Sequence, residues 1–206
     1  MASVDIQLDN TFQLRARAGA SSGWANIVDG NGNCFNGSNS GIRIDYLQNA
    51  DGGSNFTIDR IHFRFDVGSS VPSDGTITAV SMFLYTSDAA QSITDADYKK
   101  SKIAKATSVS LSNTGTPATT WDAISYSVLH GDYVDISTTN GAENEFDFGS
   151  GDLFDYVVAQ HAASTKAAFW HLTKLELEDQ APTGGNKNSF QWTTAPLAVR
   201  PYLEIT

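Results

Sequence analysis

The chain has 206 residues and one cysteine, Cys34, so no disulfide can form within it. Its 13 basic and 23 acidic residues give a net charge of −10, which disfavours binding to nucleic-acid phosphates and to anionic membranes. No apolar run reaches the roughly 20 residues of a membrane-spanning helix. We expect no signal peptide, because Met1–Asn10 has neither a basic nor an apolar stretch. This length suits one domain, residues 1–206.

Alternating apolar residues predict several strands in the first third of the chain. They are Val4, Ile6 and Leu8, then Phe12, Leu14 and Ala16, then Ile42, Ile44 and Tyr46. Between them, Trp24–Val28 predicts one more short strand. The segment Asp29–Gly41 predicts a loop, because its Asn-Gly and Asp-Gly steps favour positive φ angles.

The central stretch Ile58–Tyr85 predicts a hairpin-like pair of strands joined by the turn Val71–Gly75. In its first strand, apolar residues alternate with polar ones, which indicates one buried face. The apolar set is Ile61, Phe63, Phe65 and Val67, and the polar set is Arg60, His62, Arg64 and Asp66. In the second strand, Val80, Met82 and Leu84 share one face, which leaves Phe83 and Tyr85 on the other.

The last half of the chain continues the pattern of short strands, with one convincing helix at Asp152–Ala163, capped by Ser150 or Asp152. A helical turn capped by Thr94 is predicted at Thr94–Tyr98. Further strands are predicted around 103–111, 124–128, 133–136, 169–177 and 190–192. A polar loop is expected at Asp179–Asn188, and Val199–Ile205 is expected to be the last strand.

Several short segments resemble the DNRLRE-type jelly-roll modules, which occur in bacterial surface proteins and virus particles and are similar to carbohydrate-binding sandwiches. They are Phe63-Arg64-Phe65-Asp66, Val71-Pro72, Thr76-Ile77-Thr78, Leu84-Tyr85 and the ending Arg200-Pro201-Tyr202-Leu203-Glu204-Ile205. The resemblance implies an all-β fold, a jelly-roll β-sandwich with one short α-helix late in the chain. It implies little about function, since one fold carries many functions.

Motifs of catalysis are missing from the sequence, and we expect no enzyme and no catalytic residues. There is no G-x-S-x-G elbow and no P-loop lysine, and the four histidines lack the spacing of a zinc site. Cys34 has no local base beside it. The acidic pairs Asp95/Asp97 and Glu143/Glu145 are interpreted as solvated loop residues.

Asp29, Asn31 and Asn33 imitate the opening of a calcium loop, with oxygen ligands at alternate positions. Cys34 stands where such a loop has glycine, and no helices flank it. We therefore expect no cofactor, with a calcium ion at these residues as the alternative to an ordinary turn.

Aromatic residues are the candidates for ligand binding: Trp24, Trp121, Phe83 and Tyr85. A flat aromatic ring can stack on a sugar, although burial in the core is the commoner fate of tryptophan. Phe83 and Tyr85 lie opposite the core face of their strand and need a partner.

The favoured interpretation is a non-enzymatic virion structural protein of a bacteriophage, of the capsid decoration or head-fibre type. It would bind the coat protein or other virion proteins through Ala2–Leu8 and Asp29–Gly41, and it would assemble in the host cytoplasm, where an unpaired cysteine is ordinary. Self-association as a trimer is left open. The alternative is a carbohydrate-binding or receptor-binding module.

Overall fold

One curled antiparallel sheet of twelve strands is the framework of the part of the chain that the structure describes. The structure, a computed structural model, describes residues 3–18, 24–28, 33–36, 43–51, 55–87, 92–108, 121–191 and 195–206. The strands are β1 (Val4–Ala18), β2 (Asn33–Asn36), β3 (Arg43–Asp51), β4 (Asn55–Phe65), β5 (Val80–Tyr85), β6 (Lys100–Ala106), β7 (Ile124–Leu129), β8 (Val134–Asp135), β9 (Glu143–Asp147), β10 (Ala167–Thr173), β11 (Gly185–Gln191) and β12 (Tyr202–Ile205). The helices are α1 (Trp24–Val28), α2 (Val67–Ser70), α3 (Asp152–Ala162) and α4 (Lys174–Leu177), with 3-10 turns at Ala96–Lys99 and Leu197–Val199.

The long strand β1 belongs to two layers of the sheet. Its first residues, Val4–Gln7, pair with β12, and its later residues, from Leu8 onward, pair with β4. The register shifts between Leu8 and Asn10, and an irregularity of this kind bends a strand. We call β12, β5, β9 and residues 4–7 of β1 the front layer. The back layer consists of β7, β6, β10, β4 and the rest of β1.

The sheet curls because β3 and β11 connect the two layers at the other end. The end of β3 pairs with β4 in the back layer, and most of β3 pairs with β11. Thr86, which follows β5, forms a bridge with Phe190 of β11. The prediction of an all-β, sandwich-like fold with one helix of any length is therefore confirmed. No helix among the described residues combines the length and apolar character that a membrane crossing requires.

The main core lies between the two layers and contains the alternating residues that the sequence indicated. From β4 it takes Ile61, Phe63 and Phe65, and from β5 it takes Val80, Met82 and Leu84; all six are buried. Burial of an aliphatic or aromatic side chain of this size contributes about 1.5–3 kcal/mol. The alternation prediction is confirmed for this face.

The predicted hairpin at Ile58–Tyr85 is wrong. β4 pairs with β1, β3 and β10, whereas β5 pairs with β12 and β9, so the two strands lie in different layers. The connection, residues 66–79, is too long for a hairpin loop and contains α2. Asp66 caps that helix by accepting a hydrogen bond from the Ser69 amide at 3.2 Å. The chain thus crosses from the back layer to the front layer here.

The outer face of the back layer is also buried, which the sequence pattern did not predict. Arg60 and His62 alternate with the core residues of β4, but both are buried. A second apolar cluster lies on this face, and α1 and the segment around Trp121 contribute to it. Its buried members are Trp24, Ile27, Ile58, Ala104, Ala106, Trp121, Ile124, Ala168, Trp170 and Leu172. Alternation fails as a guide where a strand is covered on both sides.

Several local predictions are wrong, because contacts with residues distant in sequence determine the secondary structure of short segments. The segment Trp24–Val28 is helix α1 rather than a strand, and residues 174–177 form α4 after β10 ends. The predicted loops 29–41 and 179–188 contain strand residues, since Asn33–Asn36 pair with β1 and Gly185–Gln191 pair with β3. β9, within residues 143–147, was not predicted as a strand.

Helix α3 is confirmed, but its predicted cap is wrong. The helix begins after Gly151, which makes no side-chain capping hydrogen bond, so neither Ser150 nor Asp152 is the cap. The predicted turn at Thr94–Tyr98 is a 3-10 turn at Ala96–Lys99, and its N-cap is Asp95 rather than Thr94. The strand predictions at Ile42, at residues 109–111 and at residue 192 lie outside the described residues.

Gly68 lets α2 pack directly on the end of α3. A Cβ at this position would lie 2.2 Å from the backbone carbon of Ser164, and the Gly68 amide donates to the Thr165 carbonyl at 2.8 Å. We expect Gly68→Ala to lower the free energy of unfolding by about 1–3 kcal/mol, as overpacking against backbone does. Urea unfolding measures this. Gly131→Ala is the control, since no atom lies within 4 Å of that Cβ; equal losses in both variants would contradict the prediction.

Candidate functional site

The two tryptophans predicted as ligand platforms lie inside the molecule. Trp24 is 5% exposed, and Trp121 is fully buried. The Trp121 indole lies against the Arg60 guanidinium, with 3.7 Å from Cζ to the ring centroid, and its Nε1 donates to the Val28 carbonyl at 3.2 Å. The structure therefore favours the packing interpretation of both rings, and sugar binding by them stays a prediction.

The predicted calcium ligands fall largely outside the described residues. Asp29 and Asn31 are not described, and Asn33 is the first residue of β2, paired with Arg17. Across the described ranges, no group of three or more His, Cys, Asp or Glu side chains is placed to hold a metal ion. Calcium binding at Asp29, Asn31 and Asn33 stays a prediction.

Phe83 and Tyr85, the other two predicted residues, lie on the outer surface of the front layer and share a third ring there. Tyr202 of β12 is directly opposite Phe83 in the register. The rings of Phe83 and Tyr202 stack, with centroids 4.7 Å apart and planes at 12°. Tyr85 lies next to Tyr202, at 6.4 Å and 27°. We call Phe83, Tyr85 and Tyr202 the aromatic cluster.

The aromatic cluster is accessible from solvent on one side. Phe83 is 8% exposed, whereas Tyr85 and Tyr202 are half-buried. The two tyrosines line a hollow of about 430 Å³ together with Asp5, Gln7 and Ala198. This volume falls within the range of small-ligand sites. The amide oxygen of Gln7 accepts no hydrogen bond within the described part of the molecule.

Carboxylates surround the aromatic cluster on the same surface. We call them the acidic rim: Asp5, Glu143, Glu145, Asp147 and Glu204. Asp5 lies opposite Glu204, and Glu143 and Glu145 lie opposite Tyr85 and Phe83. The strand alternation that buries Leu203 and Phe146 directs the rim residues outward.

Hydrogen bonds join the acidic rim to the centre of the front layer. The Tyr85 hydroxyl donates to the Glu143 carboxylate, and Ser81 Oγ donates to Glu145 Oε1 at 2.9 Å. Burial, with the hydrogen bond to Glu143, raises the pKa of Tyr85 above its ordinary value. Burial also raises the pKa of Tyr202, and the nearby carboxylates of Glu143, Asp5 and Glu204 raise it further. Both hydroxyl groups therefore keep their protons, and Tyr85 donates its proton to Glu143.

A second hollow, of about 730 Å³, lies beside the start of α3, and its lining includes His130, Asp132, Asp147 and Leu153. The carboxylates of Glu145 and Asp152 also line it, and its one histidine is His130. Its Nδ1 lies 2.7 Å from the Asp132 carbonyl oxygen, and its Nε2 lies 2.9 Å from the Asp147 carbonyl oxygen. The backbone thus engages both ring nitrogens, which disfavours proton transfer to a substrate.

Arg60 and Glu176 form a buried ion pair between β4 and α4. Arg60 Nε donates to Glu176 Oε1 at 2.5 Å, and both side chains are 1% exposed. The other guanidinium nitrogens donate to the carbonyls of Trp121 and Val28 and to the Tyr126 hydroxyl, each at 2.9 Å. Burial raises the pKa of Glu176, and Arg60 opposes this rise. The contacts of Arg60 thus connect β4 to α4 and to the segments that contain Val28, Trp121 and Tyr126.

The sequence identified two members of the aromatic cluster but missed Tyr202 and the acidic rim. The alternation of Tyr202 and Glu204 with Leu203 and Ile205 was a usable signal, yet it does not say which strand lies beside β12. Glu143 and Glu145 were interpreted as loop residues, whereas they lie in β9.

Comparison of the chain with models of protein families and with curated proteins finds no match. The resemblance to DNRLRE-type modules stays a prediction. The described residues define a class: an all-β, sandwich-like protein with an outward-facing cluster of aromatic rings bordered by carboxylates.

Proposed function

We propose that the chain is a non-enzymatic carbohydrate-binding protein and that the aromatic cluster with the acidic rim is its binding surface. The observation that supports this most is the half-exposed pair Tyr85 and Tyr202, which borders a hollow lined by polar side chains. A pyranose ring has one apolar face of C–H groups and a periphery of hydroxyls. Aromatic rings stack on the apolar face, and carboxylate oxygens accept hydrogen bonds from the hydroxyls.

A purely structural reason for the acidic residues explains only part of the surface. β9 ends the strand order of the front layer, and charges on such an edge discourage pairing with another sheet. That reason covers Glu143, Glu145 and Asp147. Asp5 lies on the opposite edge of this layer, because residues 4–7 of β1 pair only with β12, so the same reason covers it; Glu204 lies on β12, which is paired on both sides. A ligand that approaches the centre of the front layer accounts for all five positions.

The virion interpretation, with the coat protein as partner, stays a prediction, as does self-association as a trimer. No contact between described residues bears on either. A receptor-binding part of a virion would use the same sugar-binding surface, so the carbohydrate proposal and a virion location are compatible.

We expect Tyr202→Ala to weaken saccharide binding about tenfold, because loss of one aromatic contact costs about 1.5 kcal/mol at the upper end of its range. A glycan array identifies the ligand, and calorimetry measures the dissociation constants of the parent and the variant.

Tyr133→Ala is the matched control. Tyr133 is half-buried, as Tyr202 is, but it lies away from the front layer, where its hydroxyl donates to Glu178 at 3.2 Å. It should bind as the parent does. If Tyr202→Ala and Tyr133→Ala behave alike, or if the parent binds no glycan, the proposal is wrong.

A further inference from the structure

The acidic rim carries negative charge that no described cation neutralises. The four strand segments of the front layer contain no Lys, Arg or His. Among the ion pairs between described residues, none includes Asp5, Glu143, Glu145, Asp147 or Glu204. The basic residue just before β12 is Arg200, and its Nε donates to the Ala195 carbonyl at 2.5 Å.

Several carboxylates elsewhere in the described structure pair with cations. Asp9 pairs with Arg64 at 2.6 Å and with Lys166 at 2.9 Å, and Asp97 pairs with Lys100 and Lys174 at 2.7 and 2.8 Å. The positive residues of the chain are thus available to neutralise acids, but in the described structure they do so away from the front layer. Other carboxylates, such as Asp74, Asp132 and Asp179, also form no ion pair with a described residue, so the front layer is distinguished by five such carboxylates on the surface that holds the aromatic cluster.

Three of the rim carboxylates act directly on the aromatic cluster. Asp5 lies opposite Glu204, which is two residues along β12 from Tyr202, and Glu143 accepts a hydrogen bond from the Tyr85 hydroxyl next to that ring. A ligand group stacked on Tyr202 therefore experiences the same three charges. A negative group there is repelled, a neutral hydroxyl donates hydrogen bonds, and a positive group gains charge-assisted hydrogen bonds together with a cation–π contact to the tyrosine ring.

We infer that this surface selects saccharides that carry a free amino group, binds uncharged saccharides more weakly and rejects saccharides that carry carboxylates. The inference rests on the proposed function and adds the class of sugar. Asp5, an exposed residue that lines the hollow with Tyr85 and Tyr202, supplies an acceptor for an ammonium or hydroxyl donor.

Beads that display single sugars test the inference, in both the gluco and the galacto configuration. Each configuration is shown as the free hexosamine, as its N-acetyl form and as the uronic acid. At low salt we expect retention to follow that order, with the hexosamine at least about fivefold above the N-acetyl form. High salt should reduce the retention by hexosamine and leave that by N-acetyl sugar largely unchanged, because salt screens only the charged interaction.

Two variants assign the charge effect to the rim. Glu143→Gln with Glu204→Gln should remove the preference for the free amine, so that the variant retains the free hexosamine and the N-acetyl sugar to a similar extent. Glu178→Gln, an exposed carboxylate outside the front layer, is the control and should keep the preference.

The possible failures are distinguishable. Binding to N-acetyl sugars that depends on Tyr202, without preference for the amine or with equal retention by uronic acids, overturns the inference and leaves the proposed function intact. If hexosamine beads still retain the Tyr202→Ala variant, the retention is a non-specific attraction between cations and carboxylates. That result overturns both the inference and the proposed function. The same holds if none of the beads retains the parent protein.

Discussion

Glu176→Gln is expected to lower the free energy of unfolding by about 3–5 kcal/mol, the cost of removing one partner of a buried ion pair. The substitution leaves the Arg60 guanidinium buried with its positive charge uncompensated. Arginine does not lose its proton inside proteins, so it cannot relieve this by titration. Urea unfolding monitored by tryptophan fluorescence measures the change.

Glu178→Gln provides a matched control two residues further along. Glu178 is exposed, and its contact with Lys174 spans 3.6 Å at the surface, so its removal should have a much smaller effect. Arg60→Met combined with Glu176→Leu should recover part of the loss, because apolar side chains can replace a buried pair. If Glu176→Gln costs no more than Glu178→Gln, the pair does not hold α4 to β4.

Between pH 6.5 and pH 4.5, the protein is expected to lose stability steeply as the pH falls. Burial lowers the pKa of His62 to about 3, with help from the Arg64 charge, and burial alone lowers the pKa of His171 to about 3. In the unfolded chain both titrate near 6.5. Within this window the unfolded state therefore binds two protons that the folded state does not, and each costs about 1.4 kcal/mol per pH unit.

The variant His171→Phe should remove one of these two contributions. His171 packs between Tyr46 and Phe190, with ring centroids 4.6 and 5.0 Å away, so an aromatic replacement suits the site. Its free energy of unfolding should fall about 1.4 kcal/mol less per pH unit than that of the parent. The raised pKa of Glu176 acts in the opposite direction, but equally in both proteins. Identical slopes in both proteins between pH 6.5 and pH 4.5 would contradict this assignment.

Local periodicity predicted those strands and helices that bury one face and leave the other face exposed. The core residues of β5, the helix α3 and the last strand β12 follow from alternation or helical spacing alone. The connections do not, because a turn-rich segment such as Val71–Gly75 fits a hairpin and a crossing between layers equally well. The burial of Arg60 and His62 depends on α1 and Trp121, which come from distant parts of the chain.

In the candidate site, too, the sequence predicted which face of a strand a residue lies on but not which strand lies beside it. The sequence placed Phe83 and Tyr85 opposite the core face, and their position on the outer surface bears this out. Tyr202 joins them only because β12 pairs with β5, a contact between residues more than a hundred positions apart. Trp24 and Trp121 were selected for their residue type, but large apolar area favours burial when a second apolar cluster can accept it.

Amide chemical-shift mapping during titration with a glycan from the array tests the binding surface most directly. We expect the shifts to cluster at Tyr85, at Tyr202 and along β9, and to be much smaller in Tyr202→Ala at the same glycan concentration. Shifts that cluster around Trp121 or around the His130 hollow, or no shifts at all, would contradict a carbohydrate-binding role for the front layer.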